Sequence, residues 1–401
     1  MIRSHAPHAV LFVGPESVGK TTLAMDLASG LLCQAPRPEE RPCRECRGCR
    51  MVASGNHPDL HRLAPEGPGG QVRIGSPKDP EPGTVRHLIS EVALLSVEGG
   101  ARVAIVEQAH RLNDDAQNAL LKLLEEPPAG VTMILCADDE ECLLPTVRSR
   151  CVRLRLGAVP IRQIEAWLAE QGLVDPPQAA RLARLSAGRP GLALAYARSA
   201  TAERLRGEIA RTLLDMLSAG RQRRLALVRD LLKQSVALEE ALDSGRNAGR
   251  PAAPEPAPRG RGKRKVALSE SSADDVDASP SAEAAEPGEP AASPSSSTDT
   301  AKVSASDRRA AAGTLMGIWA EVGRDLIVAG SGGTRQLREM ELMDDIRSIG
   351  PQVPAASMST FLARLSEVEP MLEQNINSEL ALDVLALAWP QVAAPPAPPV
   401  R

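Results

Sequence analysis

The chain has 401 residues, 43% of them apolar, and a formal net charge of −4; that is length and apolar content enough for two or three domains with their own cores. Three Trp, two Phe and one Tyr are its whole aromatic set, which excludes the base-stacking platforms of single-strand binders, and the slightly negative charge excludes a protein that coats nucleic acid over its entire surface. No apolar run reaches membrane-spanning length and Met1-Ile2-Arg3-Ser4-His5 lacks the apolar core of a signal peptide, so a cytoplasmic protein without membrane contact is expected, its seven cysteines reduced rather than bridged.

The first half alternates β-type apolar runs with helical periodicity, the pattern of an α/β domain with a mainly parallel sheet. Strands are expected at Ala9 to Val13, Asp59 to Leu63, Val103 to Val106, Val131 to Cys136 and Val152 to Leu156, with helices at Thr21 to Leu32, Thr84 to Leu95 and Asp114 to Glu126. Between the first strand and helix lies Gly14-Pro15-Glu16-Ser17-Val18-Gly19-Lys20-Thr21-Thr22. This is a phosphate-binding loop: Gly14 and Gly19 let backbone N–H groups close on phosphate oxygens, Lys20 neutralises the outer phosphates, and Thr21 could hold magnesium. The alternative is a plain glycine turn before a helix.

Cys43-x-x-Cys46-x-x-Cys49, with Cys33 ten positions earlier, forms a short Arg- and Pro-rich knuckle over residues 33–49. Four thiolates at this spacing suit tetrahedral zinc and leave no open coordination position, which predicts a structural site; four free thiols or an iron–sulfur cluster are the alternatives. Cys136, Cys142 and Cys151 are scattered and read as small buried residues. At the end of the third strand a phosphate-loop enzyme needs an acid for magnesium and a second carboxylate to polarise water; here stand Glu107, which can do the first job, and Gln108, which cannot act as a base. Ser149-Arg150-Cys151 then offers a guanidinium to a γ-phosphate, either in this chain's own site or in a neighbour's.

From Pro160 to about Arg198 the pattern is wholly helical, broken at Ala187-Gly188-Arg189-Pro190-Gly191, and a further helical stretch runs from Thr201 to Asp243. Residues 245–306 are rich in Pro, Ala, Ser, Gly and Glu, with a basic cluster from Arg259 to Lys265, and are expected to be disordered. Helical periodicity resumes near Ala310 and continues to Ala388.

Ala119-Leu120-Leu121-Lys122-Leu123-Leu124-Glu125-Glu126-Pro127-Pro128 and Leu143 to Cys151 resemble the bacterial replicase clamp-loader ATPases of the AAA+ class, as do Asn56-His57-Pro58-Asp59-Leu60 and Asn375-Ile376-Asn377. The resemblance is close over Ala9 to Leu192 and loose over the C-terminal helices. It implies an AAA+ P-loop domain with an inserted zinc knuckle (1–157), a small helical lid (158–200), and an all-helical collar for oligomerisation (201–395) interrupted by the insertion 245–306. It also implies motor and delta subunits as partners in a hetero-pentameric ring, and a sliding clamp and primed DNA reached through that assembly at the replisome. By position, Gly14, Gly19, Lys20, Thr21 and Thr22 fall on the nucleotide site, Cys33, Cys43, Cys46 and Cys49 on the zinc ligands, and Arg150 on an arginine finger that acts across a subunit interface.

The departures from that pattern carry as much weight. Glu107-Gln108 replaces an Asp-Glu pair, Gly191 stands where motor subunits carry a lid arginine with Arg189 nearby, and Asp138 falls where a neutral polar sensor is expected. The chain begins almost at the first strand, which predicts either an incomplete adenine pocket or a misassigned start. The leading expectation is a stator that supplies Arg150 to a neighbour and turns over ATP weakly or not at all. A hydrolysing motor subunit of the same loader is the alternative, and a zinc-bearing kinase of small substrates a distant third.

Overall fold

Alternating side chains along buried strands must find cover on both faces of a sheet, and this requirement sets the architecture of the N-terminal half. The computed structural model describes residues 7–392 except 66–69, 71, 79, 99, 249–303, 334–335 and 374–375. Five parallel strands, β1 (Ala9–Val13), β2 (Leu60–Leu63), β3 (Arg102–Val106), β4 (Val131–Ala137) and β5 (Val152–Arg155), pair in the order β5-β1-β4-β3-β2. Val10, Phe12, Val103, Ile105 and Ile134 point to one face, under α1 (Lys20–Leu31) and α2 (Arg47–Ala53). Leu11, Val13, Ala104, Val106, Met133 and Leu135 point to the other, under α3 (Val85–Ala93), α4 (Asp114–Glu125) and the single turn α5 (Pro145–Arg148). The expected strands and helices are all present, within two residues at each end.

Buried polar groups tie the loops at the lower, N-terminal end of this sheet. Asp59 is buried and accepts from the N–H groups of Val97 and Glu98 at 2.8 and 3.0 Å; burial raises its pKa, but those amides outweigh it and hold the carboxyl below its usual range. Arg102 donates to the carbonyls of Val92 and Ala129, stitching the end of α3 to the start of β3.

The C-terminal half is helical throughout: α6 (Ile161–Gln171), α7 (Pro176–Leu185), α8 (Pro190–Arg198), α9 (Ala200–Asp215), α10 (Arg221–Asn247), α11 (Ala305–Gly330), α12 (Met343–Ile349), α13 (Ala355–Glu373) and α14 (Ser378–Ala388). One continuous apolar core runs from Ile164 to Trp389. Its centre is Trp319, Phe361 and Trp389, with ring centroids 4.7–5.7 Å apart in tilted and edge-on arrangements. Arg206 is buried with Glu321 and Glu339, charges that hold α9 to α11 and the following loop.

Two sequence expectations need correction here. The stretch Thr201 to Asp243 is two helices, α9 and α10, with a turn through Met216 to Gly220. The expected disordered segment 245–306 overlaps helix at both ends: α10 continues to Asn247, its last turn held by Gly245 against the Ala195 backbone and by Arg246, and α11 starts with a Ser304–Asp307 capping box. Residues 249–303, including Arg259 to Lys265, lie outside the described residues, as do Asn375 and Met1–Ala6, and therefore any account of an adenine pocket built from the latter.

Arg224 closes this half of the molecule. Only 4% exposed, it donates to the carbonyls of Ala219, Leu217, Trp389 and Pro390 at 2.5–3.3 Å, pinning the end of the last helix to the turn between α9 and α10. Arg224→Met leaves four buried carbonyls short of a donor and is expected to cost about 3 kcal/mol of stability. Urea unfolding followed by tryptophan fluorescence measures it; a change below about 1 kcal/mol would show that the helix ends are held by packing alone.

Candidate functional site

Because β1 and β4 are neighbours, the loops at their upper, C-terminal ends meet. Gly14 follows β1 and donates its N–H to Ala137 O at 3.2 Å, which brings Asp138, the residue just after β4, beside the phosphate loop. Gly19 adopts φ 108°, a left-handed conformation that frees the chain to turn into α1 at Lys20. Thr21 is half-buried in the first turn of α1 and Thr22 is exposed.

The Lys20 side chain, 8% exposed, has its three donor positions spoken for. Its Nζ donates to Gly14 O and Pro15 O, each at 2.8 Å, and forms an ion pair with Asp138 Oδ1 at 2.5 Å. The other Asp138 oxygen faces His110 Nε2 at 3.5 Å, while His110 Nδ1 accepts the Asp138 N–H at 3.2 Å. That acceptance leaves the imidazole proton on Nε2, toward the carboxylate. A triphosphate needs a free ammonium and no acid at this spot. The arrangement of Lys20 and Asp138 does not fit one.

The helical half closes over the same loop. Gly191, in the first turn of α8, donates its N–H to Ser17 O at 2.9 Å, and a Cβ at position 191 would stand 2.9 Å from that oxygen. No side chain fits there without moving the loop. Arg189 points elsewhere, bonding Ser186 O and forming an ion pair with Glu321 of α11 at 2.9 Å. From α10, Arg246 reaches Glu16 of the phosphate loop at 3.1 Å. Sequence reasoning missed Arg246, because its number in the chain gives no hint that the long α10 ends at this loop.

Glu107 follows β3, which β4 separates from β1. Its carboxylate accepts from Arg62 Nε of the edge strand β2 at 2.9 Å, so the acid expected to hold magnesium already has a cation. Gln108 takes a left-handed φ of 51° and opens a short turn rather than a catalytic arrangement. Nearby, Cys136 is buried, and burial with Glu107 adding to it pushes its thiol up to about 12, an unreactive residue.

Arg150 lies at the other end of the sheet. Val152, the first residue of β5, pairs opposite Val10 of β1, and Arg150 lies in the turn just before β5, at the lower, N-terminal end of the sheet. The four residues from Val10 to Gly14 alone span about 13 Å at about 3.3 Å per residue, already beyond the reach of an arginine side chain. Its guanidinium bonds Thr146 O at 2.9 Å and pairs with Glu125 of α4 at 2.6 Å, on the surface.

The cysteine knuckle sits where α1 ends and α2 begins. The sulfurs of Cys33, Cys43, Cys46 and Cys49 all lie within 4.8 Å of one another. The closer pairs are 3.6 Å (Cys33–Cys43), 3.9 Å (Cys33–Cys46) and 4.0 Å (Cys43–Cys49). A tetrahedron with metal–sulfur bonds of about 2.3 Å has sulfurs about 3.8 Å apart, so these four fit zinc. Backbone N–H groups of Ala35, Cys43, Cys46 and Cys49 point at the sulfurs of Cys33, Cys43 and Cys46, all at 3.4 Å. Burial raises Cys46, but amide donation outweighs it and brings the thiol down to about 6; burial pushes Cys49 up to about 12. Cys46 also caps α2 by accepting from Cys49 N, so ligand spacing and helix start are one feature.

The family model described as DNA polymerase III, delta subunit, matches residues 1–160. The chain is 35% identical over 247 residues to DNA polymerase III subunit delta′ of Pseudomonas aeruginosa, a match spanning 60% of this chain and 66% of that protein. It is 38% identical over 188 residues to the delta′ subunit of Escherichia coli, covering 47% of this chain and 54% of that protein. To the tau subunit of Escherichia coli it is 33% identical over 179 residues, 44% of this chain and 26% of that protein. The chain thus spans between a quarter and two thirds of the length of these relatives.

Proposed function

Since the chain belongs, through residues 1–160, to the family described as DNA polymerase III, delta subunit, we propose that it is the delta′-type stator of a bacterial clamp loader. In this reading it hydrolyses no ATP at a useful rate. It offers Arg150 to the nucleotide of a neighbouring motor subunit, and it helps a hetero-pentameric ring of motor and delta subunits load a sliding clamp on primed DNA. The observation that carries the reading is the position of Arg150, which the sheet register puts at the opposite end from this chain's own phosphate loop. A guanidinium so far from its own loop can act on a phosphate only in another chain. The surface pair with Glu125 is worth at most about 1 kcal/mol and exchanges readily for a phosphate.

Zinc, held by Cys33, Cys43, Cys46 and Cys49, has a structural part in this proposal, since four protein ligands leave no position for substrate. The collar role of α9 to α14 and the lid role of α6 to α8 are likewise proposed. Among the described residues no helix is long and apolar enough to cross a membrane, and a cytoplasmic location at the replisome completes the reading. The motor alternative has the full Gly14 to Thr21 loop in its favour, but Lys20 already bonded to Asp138, and Gln108 in place of a base, speak against it.

The test compares the purified chain alone with the chain added to motor and delta subunits. Alone it should show ATP hydrolysis at background; added, it should complete an assembly whose hydrolysis is stimulated by clamp and primed DNA. Motor-like turnover by the chain alone would sink the stator reading.

A further inference from the structure

The phosphate loop of this chain has the residues to bind nucleotide and an arrangement that opposes it, and one side chain accounts for the conflict. We infer that Asp138 is the residue that keeps nucleotide out of this loop: its carboxylate occupies Lys20 in the manner of a phosphate oxygen. The topology puts it there, because β4 lies beside β1 and Asp138 follows β4 directly as Gly14 follows β1. The ion pair measures 2.5 Å, with the Lys20 side chain 8% and the Asp138 side chain 33% exposed, so water reaches it only from the carboxylate side.

An incoming triphosphate meets this acid twice. It must take Lys20 from Asp138, and it must then lie a few ångströms from the carboxylate it displaced. Like charges about 4 Å apart repel by several kcal/mol in a partly buried setting, enough to offset most of what a phosphate loop contributes to binding. The other charges around the loop do not relieve the conflict. His110 accepts the Asp138 N–H and presents Nε2 to its carboxylate at 3.5 Å. Arg246 is engaged by Glu16, Glu239 and Asp243, Glu107 by Arg62, and Arg189 by Glu321. The loop therefore acts as an internal strut joining β1, β4 and α1, with α8 seated on it through Gly191 and Ser17. A neutral side chain of the same size at 138 removes both the competitor and the repulsion while keeping the hydrogen bond to Lys20.

The experiment is equilibrium binding of fluorescent ATP and ADP analogues, with magnesium, to the purified full chain and to Asp138→Asn, read by anisotropy. The native chain should bind weakly, and Asp138→Asn should bind about 30-fold more tightly or better. Adding Lys20→Met to Asp138→Asn should abolish the gain, which shows that the nucleotide sits in this loop. Thermal melting supplies a second reading without nucleotide. Lys20→Met should lower the melting temperature markedly in the native background, where it strands Asp138, and much less beside Asp138→Asn. Should Asp138→Asn fail to fold, Asp138→Ser replaces it in both measurements. Micromolar binding by the native chain, or a folded neutral variant with unchanged affinity, overturns the inference. Neither result bears on Arg150, whose action is read at another subunit's nucleotide.

Discussion

Arg150→Ala, assembled with the other loader subunits, is expected to lower ATP hydrolysis at the adjacent motor site by about 1,000-fold, the usual scale for a finger supplied in trans. Total clamp- and DNA-stimulated turnover should fall by at least the share of that one site. Arg150→Lys should fail nearly as badly, because an ammonium lacks the planar fork that reaches two phosphate oxygens at once. Glu125→Gln is the informative partner variant: it frees the guanidinium from its surface pair while leaving the bond to Thr146 O. Its expected effect is less than about threefold, since an exposed ion pair contributes little. The measurement is steady-state hydrolysis with and without clamp and primed DNA, on assemblies shown intact by gel filtration. An Arg150→Ala assembly as active as the native one would remove the finger from the proposal.

Removing zinc is expected to have the second large effect. Metal analysis should return about one zinc per chain, and Cys46→Ser should release it and lower the melting temperature by about 10 °C, a loss near 4 kcal/mol. The reason lies in what the four sulfurs join. Cys33 stands two residues past the end of α1, the helix that starts at Lys20, and Cys46 and Cys49 start α2, which shields the sheet beside it. Without a metal, the sulfurs of Cys33, Cys43, Cys46 and Cys49 stand within 4.8 Å of one another with no cation to draw them together. Stability should therefore depend on chelator in the native chain and be insensitive to it in Cys46→Ser. A zinc content near zero in undamaged protein, with an unchanged melt, would show that the four thiols stand alone.

Much of the sheet domain could be read from residues because its physics is local. A run such as Val10-Leu11-Phe12-Val13 ending in glycine has few ways to fold, and the cysteine spacing encodes both a helix start and a group of four sulfurs that could hold a metal. What escaped the sequence is set by meetings between distant segments. Asp138 could be flagged as an acid in an odd position, but only the pairing of β1 with β4 brings it to Lys20. The expected boundary at 245 followed composition, and failed because Gly245 and Arg246 are held by Ala195 and Glu16, roughly 50 and 230 residues away in the chain. Arg224 gave no signal at all: an arginine among arginines in the sequence becomes a buried clamp only when Trp389 and Pro390 return to it. That Arg150 acts in trans is already the leading expectation from sequence; the pairing of Val10 with Val152 adds that the residue precedes β5, at the end of the sheet away from Gly14.

That pairing also gives the domain a direction. With the guanidinium at the lower edge of the sheet and the phosphate loop at the upper, such a domain has a donor end and an acceptor end, and copies stacked head to tail would extend indefinitely or close on themselves. On the proposed function, a member whose acceptor end is stoppered by its own Lys20–Asp138 pair would give but not receive. It fits one berth in a chain of such domains, the last. One copy per assembly would then follow from geometry rather than from expression level.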